Sequence, residues 1–401
     1  MVNKLLLLKI FEGFSIQRWN DHARPIELTE MDKSALKLIV AYLLGKMEEK
    51  NGIIIDWEKI IYACFFELLK KIALSDIKAS IHKKIKNEFP EEFDKLNNWV
   101  VDQYEVLIED NELLKMFRNY LLEKKDLSDI NFKIVRAAHK YSTIREFELI
   151  KMINSPSIRI FDIEKELNAD IQQFLDLKGI QMLVTKQNLY ELLSIIEQLR
   201  FQVRWGQTQR IPRTTVLGHC MMVSCFTLLF SRELKPKPSK KRLYNNVFCG
   251  LFHDLPEAVT RDIISPVKRA TDNLPGIVKK IEESIVQEKL FPLIDDSFIE
   301  EIRYFTENEF NNRIIIDGEI KTVSAAEIAD KYNHDEYSPV DGELIELCDK
   351  LSAFLEAYQS KRYGIDSPHL NQGRLNILNK YKNEKNICGI DVRKLFNEFA
   401  L

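Results

Sequence analysis

Glycine and proline are scarce, at 13 and 12 residues in a chain of 401, about half of ordinary usage. That shortage excludes architectures built on many tight turns, such as β-sandwiches and propellers, and it excludes long disordered linkers. Cysteine is thin as well. Cys64, Cys220, Cys225, Cys249, Cys348 and Cys388 form no C-x-x-C pair and lie mostly in apolar runs. They read as small buried hydrophobes in a reducing compartment, not as a disulfide framework. No charge of one sign prevails: 58 basic residues stand against 61 acidic ones, a net charge of −3. Nothing here advertises a nucleic-acid partner, and no acidic tail is present. No apolar run approaches the roughly 20 residues of a membrane span. The apolar start at Leu5–Leu8 is cut by Lys9 and Glu12 before it can make a signal peptide. The expectation is a cytoplasmic chain with no nucleic-acid and no membrane partner.

What the chain has is helical periodicity. Tyr190, Leu192, Leu193, Ile195, Ile196 and Leu199 fall on one broad stripe, and Leu344, Ile345, Leu347, Cys348, Leu351 and Phe354 on another. The one strand pair surrounds Asp317-Gly318, a hairpin turn signal inside 313–323. The fold class is therefore all-α with a small β-hairpin near 313–323. The length is ~2.7 times a ~150-residue domain, which favours two domains. Self-similarity divides them. A shift of 186 residues superposes Arg18-Trp19 on Arg204-Trp205, Thr29 on Thr215, Phe66 on Phe252 and Asp76-Ile77 on Asp262-Ile263. We expect a tandem duplication, with domains at 1–186 and 187–401.

The second copy carries the chemistry. Its apolar run Phe248–Phe252 ends in His253-Asp254. A carboxylate buried beside an imidazole is costly unless both coordinate a cation. Glu257 follows, either on the same helix or, if Pro256 breaks it, at the start of the next. His219 shares a core-facing stripe with Val216, Met222, Val223 and Phe226, and Asp349 edges the 344–355 stripe beside Ser352. Each alone has an ordinary reading, as a core histidine bonded to a carbonyl or as a capping carboxylate. In order, His219, His253-Asp254 and Asp349 on three apolar helices suit a divalent transition metal with open positions for water and substrate.

This pattern resembles the HD-domain metal-dependent phosphohydrolases, and within them the YfbR-type 5′-deoxynucleotidases. The matching motifs are Arg204-Trp205, His219, His253-Asp254-Leu255-Pro256-Glu257, Thr260-Arg261-Asp262, Ser265-Pro266-Val267-Lys268 and Cys348-Asp349-Lys350. The resemblance implies two HD-like helical bundles and one divalent metal, such as Mn, Co, Zn, Fe, Ni or Mg, held by His219, His253, Asp254 and Asp349. It implies a catalytic pair in Asp254 and Glu257, with Glu257 moving a proton to or from the attacking water. It assigns Arg204 and Lys268 to phosphate, Trp205 to the sugar, and Thr260 and Asp262 to the nucleotide. The implied reaction is release of phosphate from a deoxynucleoside 5′-monophosphate. Two departures stand out. Arg261 replaces the family's usual Gly, and about twenty extra residues near 310–340 contain a second candidate, Asp330, for the last ligand. Asp349 is preferred because Leu351-Ser352-Ala353-Phe354-Leu355 continues the family pattern.

The first copy has lost this set. The same shift places Lys33, Glu67, Leu68 and Lys71 where His219, His253, Asp254 and Glu257 stand, and His139 takes the place of Asp349. We expect a scaffold without metal in which Arg18, Trp19 and Asp76 are remnants. The enzymes resembled are homodimers, so the tandem chain implies a pseudo-dimer within itself, and oligomerisation beyond that is left open. Three alternatives remain at this point: a nucleoside polyphosphate or other phosphate ester as substrate, with Arg210, Arg213 and Arg261 supplying charge; a non-catalytic nucleotide sensor; and a regulatory nucleotide pocket in the first half.

Overall fold

The computed structural model describes residues 2–123, 125–261, 271, 273–384 and 386–399. Six helices position the chemistry and are labelled here: α1 (Glu30–Lys50), α2 (Trp57–Leu74), α3 (Ile130–Ile153), α4 (Val216–Ser231), α5 (Lys240–Phe252) and α6 (Gly342–Arg362). Their starts are written locally. The side chains of Thr29, Asp56, Asp129, Thr215 and Ser239 each accept a hydrogen bond from a backbone N–H of the first turn that has no helical partner. The 344–355 stripe forms inside α6, and the 190–199 stripe forms a helix over Asn188–Ile196 continued by a 3₁₀ turn over Glu197–Arg200. Among the described residues the sheet content is one hairpin, β1 (Arg313–Ile316) paired antiparallel with β2 (Glu319–Thr322). Its turn residues, Asp317 and Gly318, have φ of 54° and 79°, as a two-residue hairpin turn of the primed type demands.

Two helices are buried on every side. All of α4 is buried, and so is nearly all of α1, which marks them as the central rods of the molecule. α1 packs on α3 and on α4, and α4 also packs on α5 and α6. The α1–α4 crossing joins the first half of the chain to the second. Gly218 makes the approach close enough, because a Cβ there would sit 2.7 Å from Phe14 Cε1 and 2.8 Å from Asp32 Oδ1. Thr215 Oγ1 hydrogen-bonds Asp32 across the same crossing. Nearby, Tyr42 of α1 inserts among Phe248, Phe252, Phe298 and Phe305, and its hydroxyl donates to Glu301 at 2.8 Å. One hydrophobic core runs continuously through both halves.

The extra segment before α6 is anchored by a buried arginine. The Arg313 guanidinium donates to the carbonyls of Tyr304, Asn308 and Asn311, and its backbone pairs with Val340. Gly342 then lets α6 start against this segment, since a Cβ would meet Asn311 O at 2.2 Å. All six cysteines are unbridged, and five are buried. No helix among the described residues is long and apolar enough to cross a membrane.

Candidate metal centre

Three helices and one turn bring the candidate ligands together. His219 lies in the first turn of α4 and is fully buried. α5 ends at Phe252, so His253 caps it, Asp254 enters a turn, and a short helix restarts at Glu257 behind Pro256. Pro256 thus breaks the helix, and the turn closes through Glu257 N donating to Asp254 O at 3.0 Å. Asp349, Ser352 and Glu356 follow one another along the inner face of α6 at helical spacing.

The distances define a compact cluster. His219 Nε2 lies 3.0 Å from Asp349 Oδ1 and 3.8 Å from Asp254 Oδ2, and His253 Nε2 lies 3.3 Å from the same Asp254 oxygen. The ligand atoms of His219, His253 and Asp349 all fall within 4.8 Å of one another. Both imidazoles are fixed from behind. His219 Nδ1 shares a hydrogen bond with Ser352 Oγ, and His253 Nδ1 bonds the Gly250 carbonyl, each at 2.9 Å. Such outer bonds turn Nε2 toward the cluster and set the tautomer a metal needs. His253 Nε2 is buried with no well-formed hydrogen bond among the described residues. Two carboxylates and two inward imidazole nitrogens, one of the latter buried without a well-formed hydrogen bond, fit a divalent first-row cation.

The electrostatics agree. Burial opposes charge on His253, but Asp254 and Asp349 outweigh it and lift the imidazole to about 9. Burial likewise opposes ionised Asp254, yet His253, His219 and Arg204 hold that carboxyl well below the usual range. Asp349 is held down against burial by Lys350, whose ammonium lies 2.7 Å from Oδ2, and by the two histidines. Burial and the nearby Arg204 push His219 down, keeping its ring neutral. Cys220 also reaches ligand distance of His253 and Asp254. Burial, with the charges of Asp254 and Glu257, pushes its thiol well up.

Arg204 approaches from the other side, with Nη1 3.8 Å from Asp254 Oδ2. The 203–215 loop is pinned by a bridge between Val203 and Thr215, by Arg204 N donating to Thr214 O at 2.9 Å, and by Trp205 at a φ of 58°. It borders a cavity of about 340 Å³ lined by Arg204, Trp205, Thr208, Arg210 and Arg213. Glu356 organises this loop. Fully buried, it accepts from Arg204 Nε at 3.2 Å, Trp205 Nε1 at 2.7 Å and Thr214 Oγ1 at 2.6 Å. Although burial opposes its charge, Arg204 and Arg210 draw it down to about 2.

The remaining expected positions fall out as follows. Thr260 ends the short helix and donates its hydroxyl to Pro256 O at 3.1 Å, within its own turn. Arg261 has φ 64° and ψ 156°, a region almost reserved for glycine, which accounts for the family's usual Gly there. Asp262 and Lys268 lie outside the described residues. Asp330 ends a short helix and is exposed. Sequence reasoning missed Glu356 and Glu309, whose carboxyl is raised by burial and by Asp254, and it named Ser352 and Lys350 only as neighbours of Asp349. The available signal was a glutamate seven residues past Asp349 on an apolar helix.

The first half holds a loop of similar geometry without such a cluster among the described residues. Gln17 bridges Thr29, Trp19 has φ 57°, and Glu146 accepts from Arg18 Nε at 2.9 Å and Trp19 Nε1 at 3.0 Å. Behind them the buried Lys33 donates to His139 O at 3.0 Å, and Glu67 takes Lys37 Nζ and Tyr120 OH, each at 3.0 Å. Among the described residues, no group with metal-ligand geometry includes a residue of this half.

Residues 196–378 match the family model of the HD domain. All of the cluster, Arg204 and Glu356 lie inside that match. No curated protein matches the chain. The match, which covers less than half of the chain, supports an HD-domain character for this part, and that character suggests a metal-dependent phosphohydrolase in general.

Proposed function

We propose that this HD domain is a metal-dependent phosphohydrolase acting on a nucleotide, with a deoxynucleoside 5′-monophosphate as substrate. The observation that carries the reading is the convergence of His219, His253, Asp254 and Asp349, with Arg204 facing them across Asp254. In this reading those four residues hold one divalent metal. When bound, such an ion lowers the pKa of a water and polarises a phosphoryl oxygen. Arg204, charged at every working pH, neutralises the phosphoryl oxygens that gather charge in the transition state. Glu257, one turn beyond Asp254, takes the proton of the attacking water and returns it to the leaving oxygen. Trp205, held by Glu356, packs against the sugar in the 340 Å³ cavity beside Arg204. Thr260, Asp262 and Lys268 are assigned to the nucleotide by resemblance.

The chain as a whole reads as a tandem duplication, with domains at 1–186 and 187–401 arranged as an intrachain pseudo-dimer. Support comes from features recurring at the 186-residue step. The Gln17–Thr29 and Val203–Thr215 bridges, the left-handed Trp19 and Trp205, and the helix-capping Thr29 and Thr215 are three such pairs. Asp32 and Gly218, which occupy the same position in the two copies, touch each other. Contact between equivalent residues is the mark of a two-fold relation.

The test is phosphate release from a panel of nucleoside mono-, di- and triphosphates, with added manganese or cobalt. Metal-dependent release from 5′-deoxymonophosphates is expected. Release from the triphosphates alone would replace the substrate, and no turnover with any metal would overturn the enzyme reading in favour of a sensor.

A further inference from the structure

The helix that follows α6, here α7 (Pro368–Lys382), carries a glycine in its interior. Glycine is a poor helix former, and the backbone at Gly373 has no positive φ, so conformation does not call for it there. A close approach does. A Cβ at 373 would lie 2.5 Å from Trp205 Cη2 and 2.9 Å from Cζ3, well inside van der Waals contact. The benzo edge of Trp205 therefore rests on the backbone of α7. We infer that Gly373 is a positioning residue of the nucleotide site: it lets the Trp205 indole lie back on α7, and so sets the width of the cavity beside Arg204 that takes the sugar. The inference rests on the nucleotide reading proposed above and adds a residue to it.

The indole has little freedom to yield. Its backbone sits at a φ of 58°, and Nε1 donates to Glu356 at 2.7 Å. These hold the pyrrole end, and Gly373 meets the opposite edge. The rest of the loop is tied to the same part of the chain. Thr208 Oγ1 donates to Ser367 Oγ at 2.7 Å, Ser367 caps α7 by accepting from Leu370 N at 3.2 Å, and Ile211 N donates to Ser360 Oγ at 3.3 Å. Trp205 and Thr208 both line the cavity of about 340 Å³, so any shift of the ring changes the space open to a ligand.

On the duplicated reading, the first half places larger residues around its own indole. The 186-residue step pairs Thr208 with His22. Past the insertion, the step that pairs Glu356 with Glu146 pairs Ser367 with Ser157 and Gly373 with Ile163. Ser157 and Ser367 each cap a helix, Ile158–Gln172 and α7, so this pairing has a structural basis. His22 stands edge-on to Trp19 with ring centroids 5.6 Å apart. Threonine and glycine thus flank the indole in the half that carries the ligand cluster. Histidine and isoleucine hold those positions in the half that does not.

The experiment compares the native full chain with Gly373→Ala, Trp205→Phe and the double variant, all loaded with the same metal. Trp205 is half-buried, so Gly373→Ala moves the ring and keeps the fold, checked by its unfolding midpoint. With a deoxynucleoside 5′-monophosphate, Gly373→Ala should raise KM about tenfold with a smaller fall in kcat, within the cost of a misplacement of about 1 Å. Affinity for inorganic phosphate, which touches no sugar wall, should change less than about twofold, and metal content should stay constant. The indole N–H resonance of Trp205, identified by its loss in Trp205→Phe, should move in Gly373→Ala. Phenylalanine lacks the benzo edge, so Gly373→Ala should add nothing to KM in the Trp205→Phe background. An unmoved resonance, parallel losses of nucleotide and phosphate affinity, or an equal effect in the Trp205→Phe background overturns the inference. If the native chain binds the nucleotide without turnover, its dissociation constant takes the place of KM. A native chain that neither binds nor hydrolyses the nucleotide overturns the nucleotide reading and this inference together, whereas a native enzyme indifferent to Gly373→Ala overturns this inference alone.

Discussion

Glu356 is the residue whose removal tests the most physics at once. It is fully buried, it accepts hydrogen bonds from Arg204, Trp205 and Thr214, and it is drawn from an ordinary glutamate's 4.5 down to about 2. At about 1.4 kcal/mol per tenfold change in acidity, that difference is worth about 3 kcal/mol of folding stability at neutral pH. The same magnitude follows from breaking a buried ion pair by removing one partner, about 3–5 kcal/mol. Because the carboxyl is more acidic folded than unfolded, its contribution is complete above pH 4.5 and vanishes as the pH falls toward 2. Glu356→Gln keeps the shape and loses the charge. Urea denaturation across pH 2–8 should show the variant about 3 kcal/mol less stable at pH 7, with the gap closing between pH 4.5 and 2. Arg204, assigned above to the charge that builds in the transition state, also loses its tether, so kcat should fall as well as KM rise. A gap below about 1 kcal/mol at pH 7, or one that persists unchanged into acid, would refute the reasoning.

Other outcomes follow from the same contacts. Asp254→Ala should abolish metal uptake and turnover together, read by metal analysis of the purified chain. Glu257→Gln should retain the metal yet lose about 10²–10⁴ in kcat, the scale of a proton-transfer group; undiminished turnover would remove its role. Glu67→Gln should leave metal content per chain unchanged, whereas loss of half the metal would show a second loaded site. Gly218→Ala places a methyl 2.7 Å from Phe14 and 2.8 Å from Asp32 Oδ1. Overpacking at the α1–α4 crossing should cost about 1–3 kcal/mol, exceeding the ~1 kcal/mol that alanine gains over glycine in a helix, and the unfolding midpoint reads the net sign.

The helices and the hairpin were legible in the sequence because their signals are local. A stripe of Leu344, Ile345, Leu347 and Leu351 needs only a 3.6-residue repeat, and Asp317-Gly318 needs only a preference for positive φ. The histidines and His253-Asp254 stood out because such residues are expensive inside apolar runs. Glu356 did not, since a single glutamate near the end of a long helix resembles any solvated one until Arg204 and Trp205, about 150 residues away, fold against it. Ser352 was noticed only as a neighbour of Asp349, and its bond to His219 depends on how α4 and α6 cross. The break at Pro256 was one of two local readings, and the packing of the turn chose between them. Lys33 stood out only through its alignment with His219, and Lys37 not at all. Their burial comes from α1 being covered by α3 on one side and α4 on the other, a tertiary fact with no local trace.

If the first half is, as proposed above, a copy that has lost its ligands, it would ordinarily be free to drift or be lost, and the packing explains why this one is not. α4 carries His219, and it is apolar on every side, Val216 and Leu217 through Leu229 and Phe230. Such a helix cannot face water, so one side requires a cover, and α1 with Phe14 and Met31 is that cover. The need is reciprocal: Tyr42 of α1 is satisfied only inside the aromatic nest of Phe248, Phe252 and Phe305 and by Glu301. Burying each such ring or aliphatic side chain contributes about 1.5–3 kcal/mol, against a net stability of about 5–15 kcal/mol for a folded domain. Losing only a few of these contacts would consume the whole margin. On the duplicated reading proposed above, the second half is therefore not an independent enzyme with an appendage. The position of His219 depends on a helix that the first half holds in place, which is reason enough for the first half to persist.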